Sequence, residues 1–286
     1  MLFGGETAHS YYEEGLTAAM KGDVQLAVSR FKRALELDTQ LHSARHQLGK
    51  CYLRLCRPQE ALTELRAATK LMPTVAPLLV DTGYALLLLD KVEEARNAFS
   101  NALQVKSDDP RAIMGLARCA AAKEQWGTVV GLAQHALEQG YAHFDARLLL
   151  ARAADKCDMP EVAMANYSKA VELMDQSIDA NPEQPAGHYL RGCVYFYQEN
   201  YSAALADFEA ALEKAERDAH YAAYQEHFSF PDILNMKGMC LRALGHDEQA
   251  REIGRELLAL APDHPAGQQL ADGEAIPSDS DGKGSR

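Results

Sequence analysis

The sequence predicts an all-α fold of stacked helix hairpins, and three observations carry the prediction. Small residues return every 34 positions: Gly15, Gly49 and Gly83, then Ala27, Ala61 and Ala95, then an unbroken ladder of Ala34, Ala68, Ala102, Ala136 and Ala170. The apolar residues between them keep helical spacing, with Leu62, Leu65, Ala68 and Thr69 forming one buried stripe. Short polar connections carrying Gly, Pro or Asp separate the stripes, as antiparallel helix pairs require. A period in this range marks a repeat array, in which each unit buries its apolar face only against its neighbours. Runs of alternating β-branched residues are missing, so no strands are expected.

The alanines set the frame. Units begin at residues 8, 42, 76, 110 and 144, and again at 185 and 231 after insertions of 7 and 12 residues. In the second unit Leu48, Tyr52 and Leu55 face one way along the first helix, and Pro58 suits the first turn of the second. Equivalent turns fall at Lys21-Gly22-Asp23, Asp90-Lys91, Asp158-Met159-Pro160, Glu199-Asn200 and Gly245-His246-Asp247. Pro110, Pro185, Pro231 and Pro265 each open a unit, with Asp108-Asp109 and Asp263-His264 placed to cap the helices that follow. The insertion from Asp175 to Asn181 is about two helical turns and should lengthen the second helix of unit five. The insertion at 219–230 holds Tyr221, Tyr224, Phe228 and Phe230. Its rings either pack on the adjacent hairpin or offer a surface to a partner or a second copy. Residues 1–7 form a short extension, 8–271 the array with a capping helix at 263–271, and 272–286 a Gly/Ser/Asp-rich tail expected to be disordered.

Composition narrows the function classes. A formal charge of −12 works against whole-molecule attraction to nucleic acid or to anionic membranes. No apolar stretch approaches the roughly 20 residues of a membrane span, and the start lacks the pattern of a secretory signal. The six cysteines form no CxxC pair, and Cys51, Cys119 and Cys240 share one repeat position as small fillers. Reduced thiols and a cytoplasmic location are expected.

Unit two supplies Leu48-Gly49, Tyr52, Ala61, Leu65, Ala68 and Pro73 at positions 7, 8, 11, 20, 24, 27 and 32 of its frame. Unit six supplies Gly192, Tyr195, Ala204, Phe208 and Ala211, and unit one Tyr11, Gly15, Ala27, Phe31 and Ala34. In these residues, over nearly the whole chain, the sequence resembles the tetratricopeptide repeat family. The resemblance implies a right-handed superhelical solenoid of about seven hairpins with a concave groove lined by the first helices. Unit four departs from the pattern with Ala117 and Val129, and unit seven with Gly254, so both are expected to pack less tightly.

No catalytic pattern rises above chance. His42 and His46 lie one helical turn apart without a third ligand, and Gly282-Lys283-Gly284-Ser285 lacks the upstream glycine of a phosphate loop. Neither an enzyme nor a cofactor is expected. The resemblance places positions 2, 5, 6, 9, 12 and 13 of each unit in the groove. A basic wall of Lys50, Arg54, Arg111, Arg118, Arg152 and Lys156 results, with Tyr84 among it and an aromatic end at Tyr189, Phe196 and Tyr197. Arg118 and Arg152 share position 9 of adjacent units and could grip one carboxylate together, unless Arg152 pairs with Asp145 or Asp155. The Lys and Asn of the family's chaperone-tail clamp are replaced here by Tyr12 and Leu16, so that ligand is not expected. The expected function is a non-catalytic adaptor that holds a peptide or helix of a partner, with acidic groups favoured. The alternatives are a subunit that self-assembles through 219–230, and an accessory subunit of a larger secretion, envelope or enzyme complex.

Overall fold

The computed structural model describes residues 7–223 and 226–273. Most of the expected N-terminal extension, two residues of the aromatic insertion and most of the expected disordered tail therefore lie outside the described residues. Fifteen helices and two short strands make up the described chain. It divides into two compact units that part between Ala163 and Met164.

The first unit stacks four complete hairpins: α1 (Ala8–Met20) with α2 (Val24–Leu37), α3 (His42–Arg54) with α4 (Pro58–Leu71), α5 (Ala76–Leu87) with α6 (Val92–Val105), and α7 (Pro110–Ala121) with α8 (Trp126–Glu138). Helix α9 (Phe144–Lys156) follows. Helix α10 (Pro160–Ala180) runs 21 residues against 13 or 14 for the other second helices, as the seven-residue insertion predicts. The second unit contains α11 (Pro185–Tyr197) with α12 (Tyr201–Lys214), α13 (Phe230–Ala243) with α14 (Asp247–Leu260), and α15 (Pro265–Asp272).

One local chain geometry makes all seven hairpins. Each first helix ends on a residue in the left-handed region: Gly22, Cys56, Asp90, Glu124, Asp158, Glu199 and Gly245. At Cys56 the amide of that residue bonds to Leu53 O at 3.1 Å and the next amide to Tyr52 O at 2.9 Å. The same two bonds recur at the other six ends, which is the Schellman termination that satisfies a helix's last carbonyls and turns the chain back. At the opposite ends, Asp109 accepts from the amides of Arg111 and Ala112 ahead of Pro110.

Glycine at position 8 lets the two helices of a hairpin touch. An added Cβ would lie 2.6 Å from Phe31 at Gly15, 2.6 Å from Leu65 at Gly49, 2.5 Å from Phe99 at Gly83 and 2.8 Å from Phe208 at Gly192. In unit four Gly115, two residues earlier, instead makes a close approach to Phe99 of the preceding hairpin. At unit four's two departures from the pattern, Ala117 and Val129 are fully buried. Gly254 has its own reason: a Cβ would meet Ala271 N at 2.5 Å, so this position lies under the backbone of the capping helix α15.

The expectation of no strands needs correction at one place. The 219–230 insertion forms an antiparallel pair, β1 (His220–Ala223) and β2 (Glu226–Ser229), with Tyr221 opposite Phe228. Aromatic residues on a short pleated ribbon bring their rings to one face, and here that face packs on the helices. Phe228 stacks on Tyr189 of α11 at 4.1 Å and on Tyr221 at 5.1 Å, and is 2% exposed.

Candidate functional site

The repeat puts equivalent residues of successive first helices side by side, and polar side chains bridge that wall in the first unit. Arg111 on α7 donates through Nη2 to Asp81 Oδ1 on α5, and His46 Nε2 on α3 lies 2.8 Å from Asp81 Oδ2. Tyr84 donates to Arg111 O at 3.1 Å. Further along, Arg118 Nη2 and Tyr141 Oη both donate to Asp145 Oδ2 at 3.2 Å. Asp81 and Asp145 are buried carboxylates, and such groups persist only with donors of this kind.

The electrostatics follow from burial. Burial alone would raise the Asp81 carboxyl, but the His46 hydrogen bond and the Arg111 charge hold it below its ordinary 3.8. Burial likewise opposes the charge on Arg111, and Asp81 more than offsets it, so the guanidinium stays charged. Burial pushes the Tyr84 hydroxyl up to about 12, and it raises Tyr141 further still. Both phenols therefore act as neutral hydrogen-bond donors at physiological pH.

These contacts sort the ten residues expected to line the groove. Lys50, Arg54 and Lys156 are exposed, and Arg152 is half-buried. Arg54 reaches across to α1, where Nη1 donates to Ala19 O at 3.2 Å. Arg111 and Arg118 are held by Asp81 and Asp145, so each would meet a ligand's carboxylate with part of its guanidinium already bonded. Asp145 takes Arg118, with position 2 of this unit lying against position 9 of the unit before. Tyr84 is buried under Arg111, whose guanidinium lies 5.8 Å from its ring centroid. In the second unit Tyr189 lies beneath Phe228, while Phe196 packs edge-on against Tyr197 and Tyr201. Phe228 and Phe230 are both buried, which takes two of the insertion's rings away from any surface that self-association would use.

The second unit holds a polar set that the sequence reading missed. Arg191 on α11 donates through Nε and Nη2 to the two oxygens of Asp207 on α12, at 2.8 and 2.7 Å, and through Nη1 to Asp175 on α10 at 2.6 Å. His188 Nδ1 adds a contact of 3.1 Å to Asp207. The two carboxylates, Asp207 foremost, hold the Arg191 guanidinium well above its usual pKa. A signal was present: Arg191 occupies position 7, where unit two has Leu48, and its two partners stand 16 residues to either side.

Among the described residues no group of three or more His, Cys, Asp and Glu side chains could hold a metal ion. His46, half of the histidine pair, is directed at Asp81. Burial pushes the Cys119 and Cys240 thiols up to about 11 and about 12, which keeps both protonated as core fillers.

Tetratricopeptide repeat profiles match residues 80–127, 185–218 and 231–264, the last two beginning where units six and seven begin. The chain belongs to the tetratricopeptide repeat family. Two curated relatives are tetratricopeptide repeat protein 16 of Homo sapiens and of Macaca fascicularis, each 23% identical, with the match covering 73% of this chain. This tetratricopeptide repeat chain spans 29% of the length of those relatives. Among solved structures it resembles a tetratricopeptide repeat protein from Parabacteroides merdae, with a TM-score of 0.59, 17% identity, and 94% and 98% of the two chains covered. It also resembles PilW, a type IV pilus biogenesis factor, with a TM-score of 0.52, 17% identity, and 93% and 99% covered. Identities this low show the shared fold alone: an all-α repeat solenoid. The family is a protein-interaction scaffold and is generally non-enzymatic. No helix among the described residues is long and apolar enough to cross a membrane.

Proposed function

We propose that this protein is a non-catalytic adaptor that holds an acidic segment of a partner protein against the first-helix wall of residues 7–163. The observation that carries the reading is the exposure of Lys50, Arg54 and Lys156 on that wall, beside arginines that internal carboxylates hold in place. The distribution of charge supports it. Residues 1–163 carry 19 Lys and Arg against 20 Asp and Glu, a net of −1, whereas residues 164–286 carry 10 against 21, a net of −11. An acidic segment is therefore repelled by the second half of the sequence and tolerated by the first. The braced guanidinium of Arg111 offers fixed donors, and the exposed cations supply the attraction. Tyr189, Phe196 and Tyr197 would serve a separate apolar contact in the second unit. A cytoplasmic location and the absence of a cofactor belong to the same reading.

Affinity purification with mass spectrometry, comparing wild type with Lys50→Glu/Arg54→Glu/Lys156→Glu, tests it. These side chains are at the surface, so the variant is expected to fold and to lose its acidic partners. Recovery of the same partners by both proteins would refute the wall as the binding surface.

A further inference from the structure

The ends of the first helices in the first unit form a row spaced by the repeat: Met20, Arg54, Leu88, Ala122 and Lys156. Met20 is 88% exposed and Leu88 41% exposed, on either side of the exposed Arg54. A single exposed aliphatic side chain is unremarkable on a protein surface. Here two stand at the same repeat position on alternate helices, with a cation on the helix between them. The bond from Arg54 Nη1 to Ala19 O fixes the guanidinium beside the residue that precedes Met20. Helices α1 and α3 pack on each other, as do α3 and α5, and packed helices lie about 8–10 Å apart.

That spacing selects a ligand conformation. A polyproline II segment rises about 3.1 Å per residue with three residues per turn, so every third side chain faces the same way about 9 Å further on. A β-strand alternates faces at every residue and turns the third side chain away. We infer that this row reads an extended polyproline II segment of a partner in the pattern apolar–x–x–acidic–x–x–apolar. The apolar residues lie on Met20 and Leu88 and the carboxylate on Arg54. The pattern is the same in both chain directions, so either orientation satisfies it. Beyond Leu88, Ala122 leaves room for any residue, and Lys156 accommodates a second acid six residues past the apolar residue that meets Leu88. The inference rests on the reading of the wall as an acidic-segment site and adds its spacing and conformation.

Fluorescence anisotropy with the full chain tests it, using three labelled synthetic peptides. The first places leucine, glutamate and leucine at every third position, separated by proline–alanine pairs. The second has the same composition with those residues at every second position, and the third replaces glutamate with lysine. The first is expected to bind at least about tenfold more tightly than the others, the scale on which like-charge contacts and lost anchors act at interfaces. Arg54→Glu should transfer the preference to the lysine peptide. Met20→Lys, at a fully solvated position, should favour a peptide in which the leucine facing it becomes glutamate. Equal binding of the two spacings would overturn the inference while leaving the acidic wall intact. If neither acidic peptide binds, the inference falls too. Partner loss in the charge-reversal variant described above then decides separately whether the wall itself binds acids.

Discussion

Replacing Glu124 with glycine is expected to stabilise this protein, although glycine normally weakens a fold. Glu124 ends α7 with φ of 56°, and Glu199 ends α11 with φ of 58°. In that region a Cβ crowds the following carbonyl, at a cost of roughly 1–2 kcal/mol for an L-residue. Asp90 and Asp158 belong to the small set of residues that tolerate it, and glutamate does not. Against this gain stands the greater freedom of glycine in the unfolded chain, about 0.4–1 kcal/mol. The net expectation is a stabilisation of about 1 kcal/mol for Glu124→Gly, and the same for Glu199→Gly in the other unit. The reverse changes, Gly22→Ala and Gly245→Ala, should each cost about 1 kcal/mol, since an added Cβ meets nothing within 4 Å at either position and only the backbone is strained. A repeat array can melt in parts, so the measurement is hydrogen exchange of the amides flanking each turn together with the urea midpoint. If Glu124→Gly leaves local exchange unchanged while Gly22→Ala is neutral, the repeated left-handed residue is not a strain point and the reasoning fails.

The remaining expectations concern buried polar groups and the cap. Arg118→Ala strands the buried Asp145 carboxylate and should cost about 3 kcal/mol, the lower end for a broken buried pair because Arg118 is itself partly exposed. In urea titrations Arg118→Ala/Asp145→Ala should be less damaging than the single change, and a neutral Arg118→Ala would sink the assignment. Asp81 has its carboxyl held below the ordinary value, so its contribution to stability is complete above about pH 4. That contribution drains away as pH falls through the depressed folded value. Asp81→Asn should therefore lose less in melting temperature than wild type between about pH 5 and pH 2, and equal losses would refute the coupling. Gly254→Ala pushes a methyl group into the backbone of α15 and should cost about 1–3 kcal/mol, seen as faster exchange across α14 and α15 with the early hairpins unaffected.

Much of the fold was legible because the features that specify it are local and repeated. Gly15, Gly49, Gly83 and Gly192 announce close crossings at constant intervals, and the structure places each against the large residue 16 positions on. The β-ribbon was not legible. Its strands are four residues each, and its stability comes from Phe228 lying between Tyr221 and Tyr189, a contact with a helix begun 35 residues earlier. Gly254 read as a defect because its partner lies in the cap, outside the repeat's own frame. At the candidate site the register names residues, but their pairing was not legible. Arg111 and Arg118 lie on α7, a first helix. Their neutralising carboxylates come from neighbouring units, 30 and 27 residues away, and no single unit's pattern reveals them.

The pairing changes what the arginines can do. A guanidinium already bonded to a buried carboxylate brings little net charge to a ligand, yet it is anchored and presents its remaining N–H groups without loss of side-chain freedom. An exposed lysine has the opposite character, with full charge, long reach and no fixed direction. Under the proposed reading, attraction would therefore fall to Lys50, Arg54 and Lys156, and geometry to Arg111 and Arg118. Arg54 has both properties, since its bond to Ala19 O steadies a guanidinium that remains at the surface. Under the proposed reading, such a wall would distinguish partners by where their acids fall, more than by how many they carry, because Arg54 on the row is both anchored and open to solvent.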